Sequence, residues 1–166
     1  MLRPVALPLL ILLLAPGLPA AAQQPAAATA AGAKPAAQPT PEQKAQLARQ
    51  EAQFQQAANR VVALVDAGKG GDVWDSASPV AKAATPRQTF LEQIAKDRGA
   101  LGGVIERKQV GIHGSRFAQG AKVPAGDYVT VTYATRFSKA AQPIRELVSL
   151  HLDEDKVWRV AGYTVH

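Results

Sequence analysis

Cysteine is absent from all 166 residues. That absence excludes a disulfide framework, a thiolate metal cage, a cysteine nucleophile and a lipid-modified N-terminal cysteine. Aromatic residues are scarce at 5%, so the nominal 47% of hydrophobic residues, inflated by alanine, overstates the material for a core. Beyond Leu14 no apolar run approaches the roughly 20 residues that span a bilayer. Charge is also limited, with 19 Lys and Arg against 13 Asp and Glu. The motifs of common chemistries are missing as well. No Gly-x-Ser-x-Gly elbow and no His-Glu-x-x-His pair occurs, and Gly102-Gly103 and Gly68-Lys69-Gly70-Gly71 fit no phosphate loop. Both glycine clusters read as flexible connections, and no cofactor and no metal is expected.

What is present begins with a targeting pattern. Arg3 supplies a positive start, Val5 to Leu14 is apolar, and Ala20-Ala21-Ala22 offers small residues before Gln23. Residues 1–22 therefore read as a signal peptide cleaved between Ala22 and Gln23. Pro16 and Pro19 interrupt any extension of the apolar run, so no stable membrane anchor is expected after cleavage. Residues 23–40 are rich in Ala, Pro and Gln and hold no large apolar side chain. Such a segment cannot bury enough surface to offset its ordering entropy, which makes it a disordered tether. Residues 41–166 remain as one domain.

Thr40-Pro41-Glu42-Gln43 combines a cap residue, a proline at the first helical position and a glutamine at the third, which together start a helix. Leu47, Phe54, Ala58, Val61, Val62 and Val65 recur at helical spacing and form one stripe that ends at Gly68. Asp72-Val73-Trp74-Asp75 reads as a short helical turn closed by Pro79. A third helix starts at Thr85-Pro86 and carries Phe90, Leu91 and Ile94 toward Gly99. After Gly103 the spacing turns to alternation, which predicts strands over 104–117, 127–137, 144–152 and 157–165. Val129, Val131, Tyr133 and Phe137 share one face; Thr130, Thr132 and Arg136 share the other, so the sheet is packed on one side. The short Asp153–Lys156 turn makes the last two strands antiparallel. The class is α+β, with three helices, the first long, followed by a four-stranded antiparallel sheet.

Four segments carry a resemblance: Leu64-Val65-Asp66-Ala67-Gly68, Trp74-Asp75-Ser76-Ala77-Ser78, Gly126-Asp127-Tyr128-Val129 and Val157-Trp158-Arg159-Val160-Ala161-Gly162-Tyr163. In that order they resemble a bacterial envelope family known only as domain of unknown function 4019, over about Arg60 to His166. The order of elements is similar to the cone-shaped folds grouped around nuclear transport factor two, where a curved antiparallel sheet wraps a long helix and leaves a pocket. The resemblance implies a fold and a compartment, periplasmic or secreted, and no reaction. Enzymes in that fold group place an Asp, His or Tyr inside the cone, but no local motif here transfers such a role to a numbered residue.

Few side chains offer chemistry. His151 and Asp153 stand two apart on a strand, a spacing that could orient an imidazole as a base or supply two metal ligands. A metal site wants about three protein ligands or more, and nothing in the sequence brings His113 or His166 to them. Alternation sets His151 opposite Leu150 and Leu152, so this pair is expected to be hydrated and to carry no catalysis. Asp153-Glu154-Asp155 lacks the glycine and distal glutamate of a calcium loop. Arg107, Lys108, His113 and Arg116 could form a basic stripe along the first strand, but without interleaved aromatics specific nucleic-acid binding is not expected. Trp74, Tyr133 and Tyr163, with Trp158, are the candidates for lining a ligand pocket.

These features favour an exported non-catalytic binding or interaction domain, taking a small molecule or an envelope protein and compatible with a homodimer through the sheet. The alternatives are a small-molecule hydrolase or isomerase with an aromatic-lined pocket, which needs a buried ionisable group, and an electrostatic ligand of envelope polyanions. N-terminal sequencing of the exported protein should begin at Gln23; a chain that still starts at Met1 overturns the signal-peptide assignment.

Overall fold

The structure, a computed structural model, describes residues 38–166. The expected signal peptide and all but the last three residues of the expected tether lie outside the described residues.

Helix α1 (Pro41–Asp66) begins with the expected reciprocal cap: the Thr40 hydroxyl accepts the Gln43 N–H at 3.3 Å, and the Gln43 side chain accepts the Thr40 N–H at 2.8 Å. It ends where Gly68 turns left-handed at φ +71°, which lets Lys69 N–H reach Leu64 O and Gly68 N–H reach Val65 O. Phe54, Ala58, Val61, Val62 and Val65 are buried. Leu47 belongs to the same stripe in sequence but is 55% exposed, because the first thirteen residues of α1 run free of the sheet.

Among the described residues four helices are present where three were expected. Helix α2 (Gly70–Asp75) is followed by α3 (Pro79–Ala84) and α4 (Arg87–Gly99). Pro79 starts α3 instead of merely closing the turn before it: its missing N–H costs nothing at the first helical position, and Ser78 caps the helix by accepting Val80 N–H at 3.2 Å. Thr85 closes α3 instead of capping the next helix, so α4 begins one residue later than the sequence suggested.

Strands β1 (Val104–Phe117), β2 (Gly126–Phe137), β3 (Ile144–Leu152) and β4 (Trp158–Val165) form one antiparallel sheet in the order β1-β2-β3-β4. Asp153 N–H to Val157 O and Lys156 N–H to Asp153 O close the β3–β4 hairpin, with Lys156 in the left-handed region at φ 64°. The buried side chains of β2 alternate from Val129 through Val131, Tyr133 and Thr135 to Phe137, and α1 packs on the core they share with Val148, Leu150 and Tyr163. The basic residues of β1 do not line up as a single stripe once the strands pair. Arg107 and Arg116 lie opposite Thr135 and Asp127, on the helix-facing side, whereas Lys108 and His113 lie opposite Ala134 and Thr130 on the other. Register shifts near Ile105 and Val110 leave both side chains about 60% exposed on this edge strand.

Because Phe54 sits in the core and Leu47 does not, the two positions should respond differently to truncation. Phe54→Ala should destabilise by about 3–5 kcal/mol and Leu47→Ala by under about 0.5 kcal/mol, read from urea unfolding.

Candidate functional site

The short helices leave a gap against the open edge of the sheet. A cavity of about 330 Å³ lies between α2, α3 and α4 on one side and β4 on the other. Its walls include Trp74, Ala77, Ala81, Phe90, Val160 and Tyr163. Alanine at 77 and 81 keeps space that larger residues would fill. The Trp74 indole N–H donates to Thr85 O at 3.1 Å, which ties α2 to the end of α3, and the Lys82 ammonium stands 5.2 Å from the ring centre.

Tyr163 connects this cavity to a buried charge network. Glu146 is fully buried on β3, and its two oxygens accept five hydrogen bonds. Arg98 donates to Oε1 at 3.2 Å, Arg107 Nη2 at 3.1 Å and Tyr163 at 2.6 Å; Arg107 Nε donates to Oε2 at 2.6 Å and Thr135 at 2.7 Å. Asp66, at the end of α1, accepts from both arginines at 2.8 Å. Two carboxylates therefore meet two guanidiniums, so the buried group is electrically balanced. Burial pushes the Tyr163 phenol above its ordinary pKa, and the Glu146 carboxylate beside it pushes the same way. Burial also works to raise Asp66, but Arg107 and Arg98 more than reverse it and hold the carboxyl below its ordinary value.

Residues 57–163 match the family described as proteins of unknown function, DUF4019. The chain belongs to this family. No curated protein matches it. The matched span of this DUF4019 chain runs from the buried half of α1 to Tyr163 and so contains both the cavity residue Trp74 and the whole network from Asp66 to Glu146.

Of the three candidate pocket residues, the fold brings Trp74 and Tyr163 together on one cavity and places Tyr133 elsewhere. The Tyr133 hydroxyl donates to Asn59 on α1 at 2.8 Å, and burial lifts its pKa to about 12. Trp158 packs edge-on against Phe54 with ring centres 5.0 Å apart. Glu146 was not singled out in the sequence, although its phase signalled it: it alternates with Val148 and Leu150 and so had to face the core. Arg98 gave no comparable signal, since only the packing of α4 brings it there.

The expected hydration of His151 and Asp153 is overturned: they are 5% and 7% exposed. Ser78, fully buried at the start of α3, covers them. The Ser78 hydroxyl donates to Asp153 Oδ1 at 2.5 Å, His151 Nδ1 lies 2.8 Å from the same oxygen, and Arg159 donates to Oδ2 at 2.9 Å. These are the residue types of a nucleophilic triad without its geometry. Both Ser78 and Asp153 lie at Nδ1, the serine proton goes to the carboxylate, and His151 Nε2 is buried without a partner against Gly126. Gly126 adopts φ +148°, and a Cβ there would overlap that nitrogen. Among the described residues no three His, Cys, Asp or Glu side chains converge on a metal position. The cluster is a clasp between α3 and the β3–β4 hairpin. Burial works to raise Asp153, but its hydrogen bonds from Ser78, His151 and Arg159 outweigh that and hold it below the ordinary carboxylate value.

Removing the network's centre leaves two guanidiniums with Asp66 as their one remaining carboxylate. Glu146→Ala should cost about 3–5 kcal/mol in urea unfolding. Asp66 and Asp153 have folded-state pKa values below the unfolded value. Their stabilisation is therefore present above about pH 4 and is lost as pH falls through the folded-state values. The unfolding midpoint should fall between about pH 5 and pH 2, with a shallower slope in Asp66→Asn.

Proposed function

We propose that this chain is an exported, non-catalytic binding domain that receives an uncharged, apolar group in the cavity between α2–α4 and β4. One observation carries the proposal. Tyr163 is the only ionisable side chain among the described residues lining the cavity, and its proton is committed to Glu146. General acid–base catalysis needs a group that can give or take a proton at the substrate, and nucleophilic catalysis needs an activated one. The cavity supplies neither, whereas an apolar wall with few polar groups is what holds an apolar ligand in place. Its volume of about 330 Å³ suits a single ring or short chain. Export rests on the charged start, apolar run and small residues of 1–22.

Indole serves as a simple probe, observed by NMR on the full chain. Its shifts should centre on the Trp74 indole N–H and the Ala81 methyl, and Ala81→Phe should weaken binding about tenfold or more while unfolding stays within about 1 kcal/mol of wild type. Shifts centred on another surface, or binding untouched by Ala81→Phe, overturn the proposal.

A further inference from the structure

The wall of the cavity that belongs to β4 is main chain as much as side chain, and its hydrogen-bonding state follows from register. Arg145 and His166 exchange both backbone bonds, at 3.0 and 2.9 Å. In an antiparallel pair such positions alternate with positions whose N–H and C=O point away from the partner strand. Leu147 with Thr164 and Ser149 with Gly162 are therefore the bonded pairs, while Tyr163 opposite Val148 and Val165 opposite Glu146 direct their N–H and C=O to the outer edge. Neither Tyr163 nor Val165 has a main-chain partner on that side among the described residues. The same edge is already used once. Past the register shift between Ser149 and Leu150, Val160 O accepts the N–H of Ser78 at 2.8 Å. The chain just before α3 thus lies against the start of this edge and leaves the next positions open, and the first of them, Tyr163, lines the cavity.

We infer that the ligand is an extended polypeptide segment that adds along the edge of β4, pairing its backbone with Tyr163 and Val165 and placing one uncharged apolar side chain in the cavity. The inference rests on the cavity being the binding site and names what enters it. The open main-chain edge beside the cavity selects a peptide over a compact small molecule. An unpaired donor and acceptor on Tyr163, repeated two residues on at Val165, match the two-residue repeat of an extended backbone. The side-chain pocket sits beside that repeat, and its lining holds no charged group to pair with a charged residue, whose desolvation would go uncompensated. Ser78 marks where the added segment must stop, because its N–H already occupies Val160 O.

The test selects octapeptides from a random display library on the immobilised full chain, then makes the best binder with a single N-methyl group at each position in turn. N-methylation of one parity should weaken binding about tenfold or more and of the other parity by less than about threefold, because only alternate amides face the edge. Ala81→Phe should weaken the unmodified peptide by about tenfold, and the Tyr163 and Val165 amides should exchange more slowly with solvent in the complex. Peptides that bind with no two-residue pattern, or that ignore Ala81→Phe, overturn the inference. Failure to enrich any peptide while indole still binds the cavity overturns it and leaves the binding proposal standing. Failure of both removes both.

Discussion

The fold depends on one buried carboxylate. Glu146 accepts hydrogen bonds from α4, β1, β2 and β4, and its arginines extend the connection to α1 through Asp66. Burying an isolated charge is expensive, so the group is tolerable only if the elements arrive together with their donors in place. Each oxygen is saturated, and the Arg98 guanidinium lies over the Phe137 ring at 4.5 Å, which covers the network from one side. An apolar residue at position 146 could have closed the same space, but it would not have fixed where α4 and β1 must stop.

A second clasp holds the opposite side. Ser78 caps α3, bonds to the β4 edge through its N–H and bonds to Asp153 through its hydroxyl, so one small residue docks the α2–α3 segment on the sheet. His151 supports it from beneath, wedged against Tyr128 at 4.7 Å and against Gly126. The cavity exists because these two clasps hold the helices at fixed positions while alanines 77 and 81 leave the space between them unfilled. The charged groups are spent on architecture, and the cavity beside the open strand edge is lined by apolar residues together with the uncharged Thr85, Thr89, Gln93 and Thr164.

Much of this was legible along the chain. The cap at Thr40, the stop at Gly68, the four strands and the hairpin at Asp153–Lys156 are local events, decided within a few residues by capping, left-handed turns and side-chain alternation. The pocket was legible in part: Trp74 and Tyr163 have the chemistry of lining residues, but nothing in their spacing separates them from Tyr133, which the fold sends to Asn59. Pro79 was misread because proline both ends one helix and begins another, and only the Ser78 cap decides between them.

The sequence by itself determined the class, the order of elements and the absence of cysteine-based chemistry, since each depends on composition or on contacts between near neighbours. Apart from Glu146, whose strand phase already pointed to the core, tertiary structure decided which polar residues are buried. Hydration of His151 and Asp153 followed from strand alternation, which locates a face but not what covers it, and a serine 73 residues away in the chain covers this one. The same holds for Arg107. In sequence it is the start of a basic stripe, and in the fold it is half of a buried pair with a carboxylate 39 residues on. Local periodicity sets the direction of a side chain; the closing of long loops sets its partner, and the partner decides whether a charge is surface or scaffold.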